Sequence, residues 1–452
     1  MYKILRICPS LGHVPNYREI LSDELFGKSY YEQIEIYKEE EVIIPGSWAE
    51  SLEKIGKYKV WDILPDDFEI QKTWVSSHRK DLAANYYRLL VTDNTFEILI
   101  AQIDYYKPDM IFLYAGGWMQ LTPELRKQIY KYTKHKNFFF TGMWADELPK
   151  VFTYETWFDY SGDYIFVSTN GYKKKIQKFI PNKKIYVTGN SLSNFKKEFS
   201  YNKNKKYDVV FVGTTGYGVP EHSNRYKILN FLCSNTNIKI FTNEIESFVS
   251  AQTSQILKIK IFLIYLFSVL PEFLIRIFKK NTNHKKINNF LEKVLRYKRT
   301  SENVRSFFIP LIHENAKFFD DKKPLHKLYP DKVKKIQVFG KKYNEIISQS
   351  KIVINIHRDE HEDYGNIRDF EVTGIGSMLM ADKKELMSEY FVDGKEYVSF
   401  DNENDLLEKI NYYLSNQELI TKITLAGMKK TQENYMTQSR AKIIDKAIQE
   451  NL

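Results

Sequence analysis

An alternation of apolar strands and helices that runs out once and then starts again constrains this chain more than any other feature. Lys3–Cys8 is a short apolar run, followed by a polar loop with Gly12, His13 and Pro15 and a helical stretch from about Tyr17. Met110–Tyr114 reads as a buried strand, with further strands at Asn137–Thr141, Asp163–Ser168 and Lys184–Thr188. Thr122-Pro123-Glu124 opens a helix, with Thr as its cap and Pro at its first position. Asn194–Lys206 is polar and lysine-rich and reads as a linker. The pattern restarts at Tyr207–Val212 and continues through Ile238–Phe241, Ile336–Phe339, Ile352–Ile356, Ser377–Ala381 and Tyr397–Phe400. Strands separated by helices need crossover connections, which make them parallel and cover the sheet on both faces. Two such series, in a chain of 452 residues, predict two α/β domains with Rossmann-like sheets.

The rhythm breaks between about 243 and 335, which reads as a helical, basic insertion in the second domain. The net charge is +10, and the segment 251–300 holds eleven basic residues against two acidic ones, so it carries nearly all of the excess. Ile261–Leu270 (IFLIYLFSVL) is apolar except for Ser268 and is too short to span a bilayer, which takes about 20 residues. Three readings stand for the segment: a decoration with a buried apolar face, an amphipathic anchor on an anionic membrane surface through 256–300, or a nucleic-acid patch. The long apolar run, with basic residues at its ends, disfavours nucleic acid, and the chain shows no aromatic-basic or zinc module for it. Two cysteines, Cys8 and Cys233, form neither a disulfide framework nor a metal-ligand spacing, which suits a reducing cytoplasm. The start, MYKILRICPS, reads as a first strand rather than a signal peptide.

The densest chemistry lies at Gly365–Met380: a charged loop, a helix start carrying Glu371, then Gly374 and Gly376 before an apolar strand. Ligands of doubly wound sheets sit at the carboxyl ends of the strands. A carboxylate there can accept two hydrogen bonds from a ribose diol, and a helix N-terminus donates to a diphosphate. Alternatively, Glu371 caps its helix. A second signal is Gly213-Thr214-Thr215 after the Tyr207 strand, with Arg225 entering the next helix. Glycine lets backbone approach closely, Thr hydroxyls donate, and Arg offers a fork matched to phosphate. Alternatively, Arg225 makes a surface ion pair. In the first domain, His13 and Asp146 each follow a strand end. Either is a candidate general base, set against a structural loop role for His13 and a helix-cap role for Asp146.

The segment from about Lys351 to Arg440 resembles the C-terminal half of group 1 glycosyltransferases with the GT-B fold, near the spore-maturation-protein-like branch. The matching pieces are Asn366-x-Arg368-x-Phe370-Glu371, Gly374 and Gly376, Phe391-x-x-Gly394-x-Glu396, Ala426-Gly427 and Tyr435-x-x-x-x-Arg440. The resemblance implies an α/β GT-B architecture of two facing Rossmann-like domains. Residues 1–192 would form the acceptor side and 193–436 the nucleotide-sugar side, with a last helix over 437–452 crossing back. It implies that Glu371 holds the donor ribose, that Gly213, Thr214, Thr215 and Arg225 meet the diphosphate, and that Asn366 and Arg368 contact sugar or phosphate. Many retaining relatives carry a glutamate eight positions before the ribose glutamate; this chain has Asp363 there. Glu360, Glu362 and His361 compete with it for the sugar. The chain contains no Asp-x-Asp, so no metal and no resident cofactor are expected. The partners expected are a nucleotide-diphosphate sugar and a glycan, lipid-linked or protein acceptor, in a cytoplasmic protein that the basic segment would place on the inner face of the membrane. The rivals are a sugar-nucleotide epimerase or hydrolase on the same fold and a non-catalytic nucleotide- or glycan-binding protein.

Overall fold

The computed structural model describes residues 1–8, 17–82, 85–92, 95–114, 123–133, 139–144, 162, 164–217, 222–242, 270, 274, 277, 287, 291, 323–357 and 365–451. The strands are β1 (Tyr2–Ile7), β2 (Tyr58–Ile63), β3 (Met110–Tyr114), β4 (Phe139–Trp144), β5 (Tyr164–Val167) and β6 (Lys184–Val187), then β7 (Tyr207–Val212), β8 (Lys239–Thr242), β9 (Val333–Lys335), β10 (Ser350–Asn355), β11 (Met378–Asp382) and β12 (Val398–Phe400). They form two six-stranded sheets, ordered β2-β1-β3-β4-β5-β6 and β12-β11-β10-β7-β8-β9. Every strand pairing among the described residues is parallel.

Each sheet is buried on both faces, which is why the central strands are nearly continuous apolar runs. In the second sheet Phe211, Ile352, Ile354, Met378 and Met380 pack with Leu229, Leu232 and Ile420 on one face. Val210, Val212, Val353 and Leu379 pack with Ile347, Phe370 and Val372 on the other. Full burial of one such aliphatic side chain contributes about 1.5–3 kcal/mol.

The chain passes between the sheets twice, side by side. Leu192 N–H donates to the Tyr435 carbonyl at 2.8 Å, and Thr437 N–H donates to the Leu192 carbonyl at 2.9 Å. Gly374 makes the close approach possible: a Cβ there would lie 2.4 Å from Leu192 Cδ2. Beyond the second crossing, the helix Thr437–Gln449 lays Ala441, Ile444, Ala447 and Ile448 against Ile4, Trp48 and Phe112 of the first sheet's layer. Asp445 on this helix accepts from the Tyr58 hydroxyl at 2.6 Å.

Two expectations need correction. The strand expected at Ile336–Phe339 is displaced: β9 is Val333–Lys335, and the next helix, Gly340–Ser348, follows at once. β2 has no counterpart in the sequence reading. Both are edge strands, where Lys59, Lys334 and Lys335 replace the unbroken apolar run of a central strand. The basic insertion lies almost wholly outside the described residues. Among these no helix is long and apolar enough to cross a membrane.

Candidate active site

The second sheet reverses its strand order between β7 and β10, so a ligand crevice is expected outside their carboxyl ends. The loop after β7 carries Gly213, Thr214 and Thr215. β10 ends at Asn355, two residues before His357, and the helix Ile367–Ile375 carries Arg368 and Glu371. The topology therefore brings the two sequence signals together.

Arg368 joins them. Its Nη1 donates to the Val212 carbonyl at the end of β7. Gly213 there has φ +143°, and a Cβ would stand 2.7 Å from that same Nη1. Gly213→Ala therefore strains the backbone and pushes on a held guanidinium. We expect it to weaken nucleotide binding about tenfold or more at a small stability cost, read by isothermal titration beside thermal melting. Unchanged affinity would remove this loop from the site.

Arg225 is buried at 7% exposure, which excludes the surface ion-pair reading. Its Nη2 and Nε donate to the Ile356 carbonyl at 2.6 and 3.1 Å, and its Nη1 donates to Thr214 Oγ1 at 3.1 Å. It ties the β7 loop to the end of β10. Thr215 is fully buried. Asn366 caps its own helix: its Oδ1 accepts from Arg368 N–H at 2.9 Å and from Asn355 Nδ2 at 3.1 Å. The third helical residue, Asp369, reciprocates by accepting from Asn366 N–H at 2.8 Å, a capping box.

Glu371 lies one turn further on, so it does not cap the helix. Its Oε1 accepts from Lys196 Nζ at 2.7 Å, with side chains 16% and 4% exposed. Burial by itself raises a carboxyl, but Lys196, Arg368 and Tyr343 together hold Glu371 below the usual carboxylate range. Burial likewise works against the Lys196 ammonium, and the Glu371 and Glu41 carboxylates outweigh it and raise it. The Tyr343 ring lies under both cations, 5.6 Å from Lys196 Nζ and 5.8 Å from the Arg368 guanidinium.

A buried cluster that the sequence did not reveal braces the site from behind. His357 Nδ1 stands 2.7 Å from Asp382 Oδ1, and Nε2 stands 3.0 Å from Asp369 Oδ2. Asn355 Nδ2 donates to Asp369 Oδ1 at 2.7 Å. Burial opposes the imidazolium, yet Asp369 and Asp382 raise its pKa to about 9. Asp382 is held well below the carboxylate range despite its burial, by His357 and by Lys384 at 3.2 Å. Nothing but the fold identifies this set, since its members come from β10, the Ile367 helix and β11. His13, Asp146 and Asp363 lie outside the described residues, as do Glu360, His361 and Glu362. Among the described residues no group of three or more His, Cys, Asp or Glu is arranged to hold a metal ion.

Residues 318–446 match a family model described as glycosyl transferase-like. No curated protein matches the chain. Among solved structures, HepE of Anabaena in complex with UDP-glucose superposes with a TM-score of 0.52 at 10% identity, covering 100% of both chains. Sucrose-phosphate synthase from Thermosynechococcus elongatus superposes with a TM-score of 0.51 at 9% identity, covering 100% of this chain and 99% of that one. At such identities the superpositions speak for the fold, which is GT-B; the glycosyl transferase-like match spans residues 318–446, a segment that contains Arg368 and Glu371. The class so defined is a glycosyltransferase of GT-B architecture.

Proposed function

We propose that this enzyme moves a sugar from a nucleotide-diphosphate donor to a hydroxyl of a glycan, lipid-linked or protein acceptor without a metal ion. The observation that carries the reading is the position of Glu371: an ionised carboxylate on the helix beside the β7 loop, at the switch point of the second sheet. In this reading the carboxylate accepts hydrogen bonds from the ribose diol. The diphosphate lies against Gly213–Thr215, where backbone N–H groups and the Thr214 hydroxyl are near Arg225 and Arg368. These two guanidiniums offset the charge that develops on the departing diphosphate, the largest catalytic contribution available to such a site. That HepE was solved with UDP-glucose supports a nucleotide sugar as donor.

A thermal-shift panel of UDP, GDP, CDP and ADP and their sugars, with and without EDTA, tests the reading. One nucleotide should raise the midpoint of wild type regardless of EDTA. A ligand at a hundred times its dissociation constant adds about 2.7 kcal/mol. A shift that vanishes with EDTA would overturn metal independence, and no shift from any nucleotide would overturn the donor reading.

A further inference from the structure

The loop that joins the first domain's early helix to its crossing contact reaches into the nucleotide site. Glu40 and Glu41 follow the helix Tyr30–Glu39, and Glu40 engages the second domain. Glu40 accepts from Lys341 N–H at 3.1 Å and pairs with Lys341 Nζ at 3.2 Å, at the start of the helix Gly340–Ser348. The approach is close: a Cβ on Gly340, whose φ is +56°, would lie 2.0 Å from Glu40 Oε2. Glu41 holds a left-handed backbone (φ 54°), which an L residue adopts only when its surroundings force it. Its Oε2 accepts from Gly46 N–H at 3.4 Å.

The crossing segment supplies the opposite charge. Asn194–Glu198 is a short 3-10 turn, anchored by Asn194 N–H donating to Ser47 Oγ at 2.7 Å and by Ser193 Oγ donating to Ser47 Oγ at 2.9 Å. This holds Lys196 in the crevice, 3% exposed, with its ammonium on Glu371. Burial first, and then the Glu371 charge, raise the Glu41 carboxyl, while Lys196 and the hydrogen bonds from Ser193 and Gly46 work against them. The ion pair of Lys196 is with Glu371, and a buried ammonium on that carboxylate has no reason of packing to be there: an apolar side chain would cost less desolvation.

We propose that Lys196 is a positioning residue that fixes the Glu371 carboxylate for the ribose diol. The inference rests on the reading of Glu371 as the ribose ligand. Lys196 occupies one carboxylate oxygen and leaves the other to the sugar.

The test is a binding series by isothermal titration with UDP, GDP, CDP and ADP and the 2′,3′-dideoxy form of whichever binds. Lys196→Met should weaken the ribonucleotide about tenfold and the dideoxy form less than about twofold, because the lysine acts only through the diol contact. Lys196→Arg should restore ribonucleotide affinity to within about threefold. Equal losses for both nucleotides in Lys196→Met would overturn the proposal, since that pattern means a phosphate contact or a damaged fold. So would unchanged binding in Lys196→Met while Glu371→Ala loses it. If wild type binds no nucleotide, or if Glu371→Ala binds as wild type does, the donor-site reading itself has failed, and the role of Lys196 falls with it.

Discussion

Glu371→Ala should abolish the nucleotide-induced rise in thermal midpoint and reduce sugar transfer by about a hundredfold or more. Two hydrogen bonds to an ionised carboxylate are at stake, each contributing about 1.5–3 kcal/mol, and 1.4 kcal/mol is about tenfold. The same substitution costs stability, because it strands a buried ammonium: Lys196 loses its 2.7 Å partner. Removing one member of a buried pair typically costs about 3–5 kcal/mol. The two effects must be separated. Glu371→Gln does so, since its amide oxygen still accepts from Lys196 while the negative charge and one diol acceptor are gone. We expect the Gln variant to melt nearer to wild type yet to bind nucleotide as poorly as Ala. A Gln variant that binds and turns over like wild type would end the case for a ribose-binding carboxylate, whatever the Ala variant does.

The second large effect is a loss of stability on the alkaline side of neutrality. His357 is fully buried between Asp369 and Asp382, and its pKa in the fold is about 9. A free imidazole titrates near 6.5. The native state therefore binds the proton more tightly than the unfolded chain does. The stability this contributes is fully present below about pH 6.5 and is lost as pH rises through about 9. Between pH 6 and pH 8 the loss should be about 2 kcal/mol by urea titration. Burial lowers Lys205 to about 8, a shift of opposite sign whose contribution grows above that pH, so the window for His357 is best read below it. Asp382 behaves conversely to His357: its pKa is lowered, so its contribution is present above the ordinary carboxylate range and is lost only in strong acid. His357→Gln should remove the slope between pH 6 and 8 and lower the plateau. A wild-type profile that is flat across that window would show that the imidazole is neutral and that the cluster is an ordinary hydrogen-bonded brace.

The sequence showed ten of the twelve described strands, the edge strands β6 and β12 among them, and missed or displaced β2 and β9. Met110–Tyr114 and Tyr207–Val212 are covered on both faces, so their apolar runs are unbroken and their limits agree with the structure to the residue. β2 and β9 lie at sheet edges, partly solvated, and their lysines hide them. The site divides in a similar way. Gly213, Arg225, Arg368 and Glu371 stand beside strand ends and helix starts, where local pattern predicts a ligand. Lys196 sits in a lysine-rich linker and looks like its neighbours until the fold buries it. Asn366 has a capping residue's place in sequence, and the fold uses it as a cap.

Chain-local physics thus determined the two α/β series, the loops that follow their first strands and the glycines those loops need, because periodicity and backbone freedom act over a few residues. Tertiary structure alone decided that Glu41, Lys196 and Glu371 share one buried site, and that His357 lies between Asp369 and Asp382. Charge pairing in a low-dielectric interior depends on distance in space, and residues 41, 196 and 371 become neighbours only when two sheets close on a crossing that the chain makes twice.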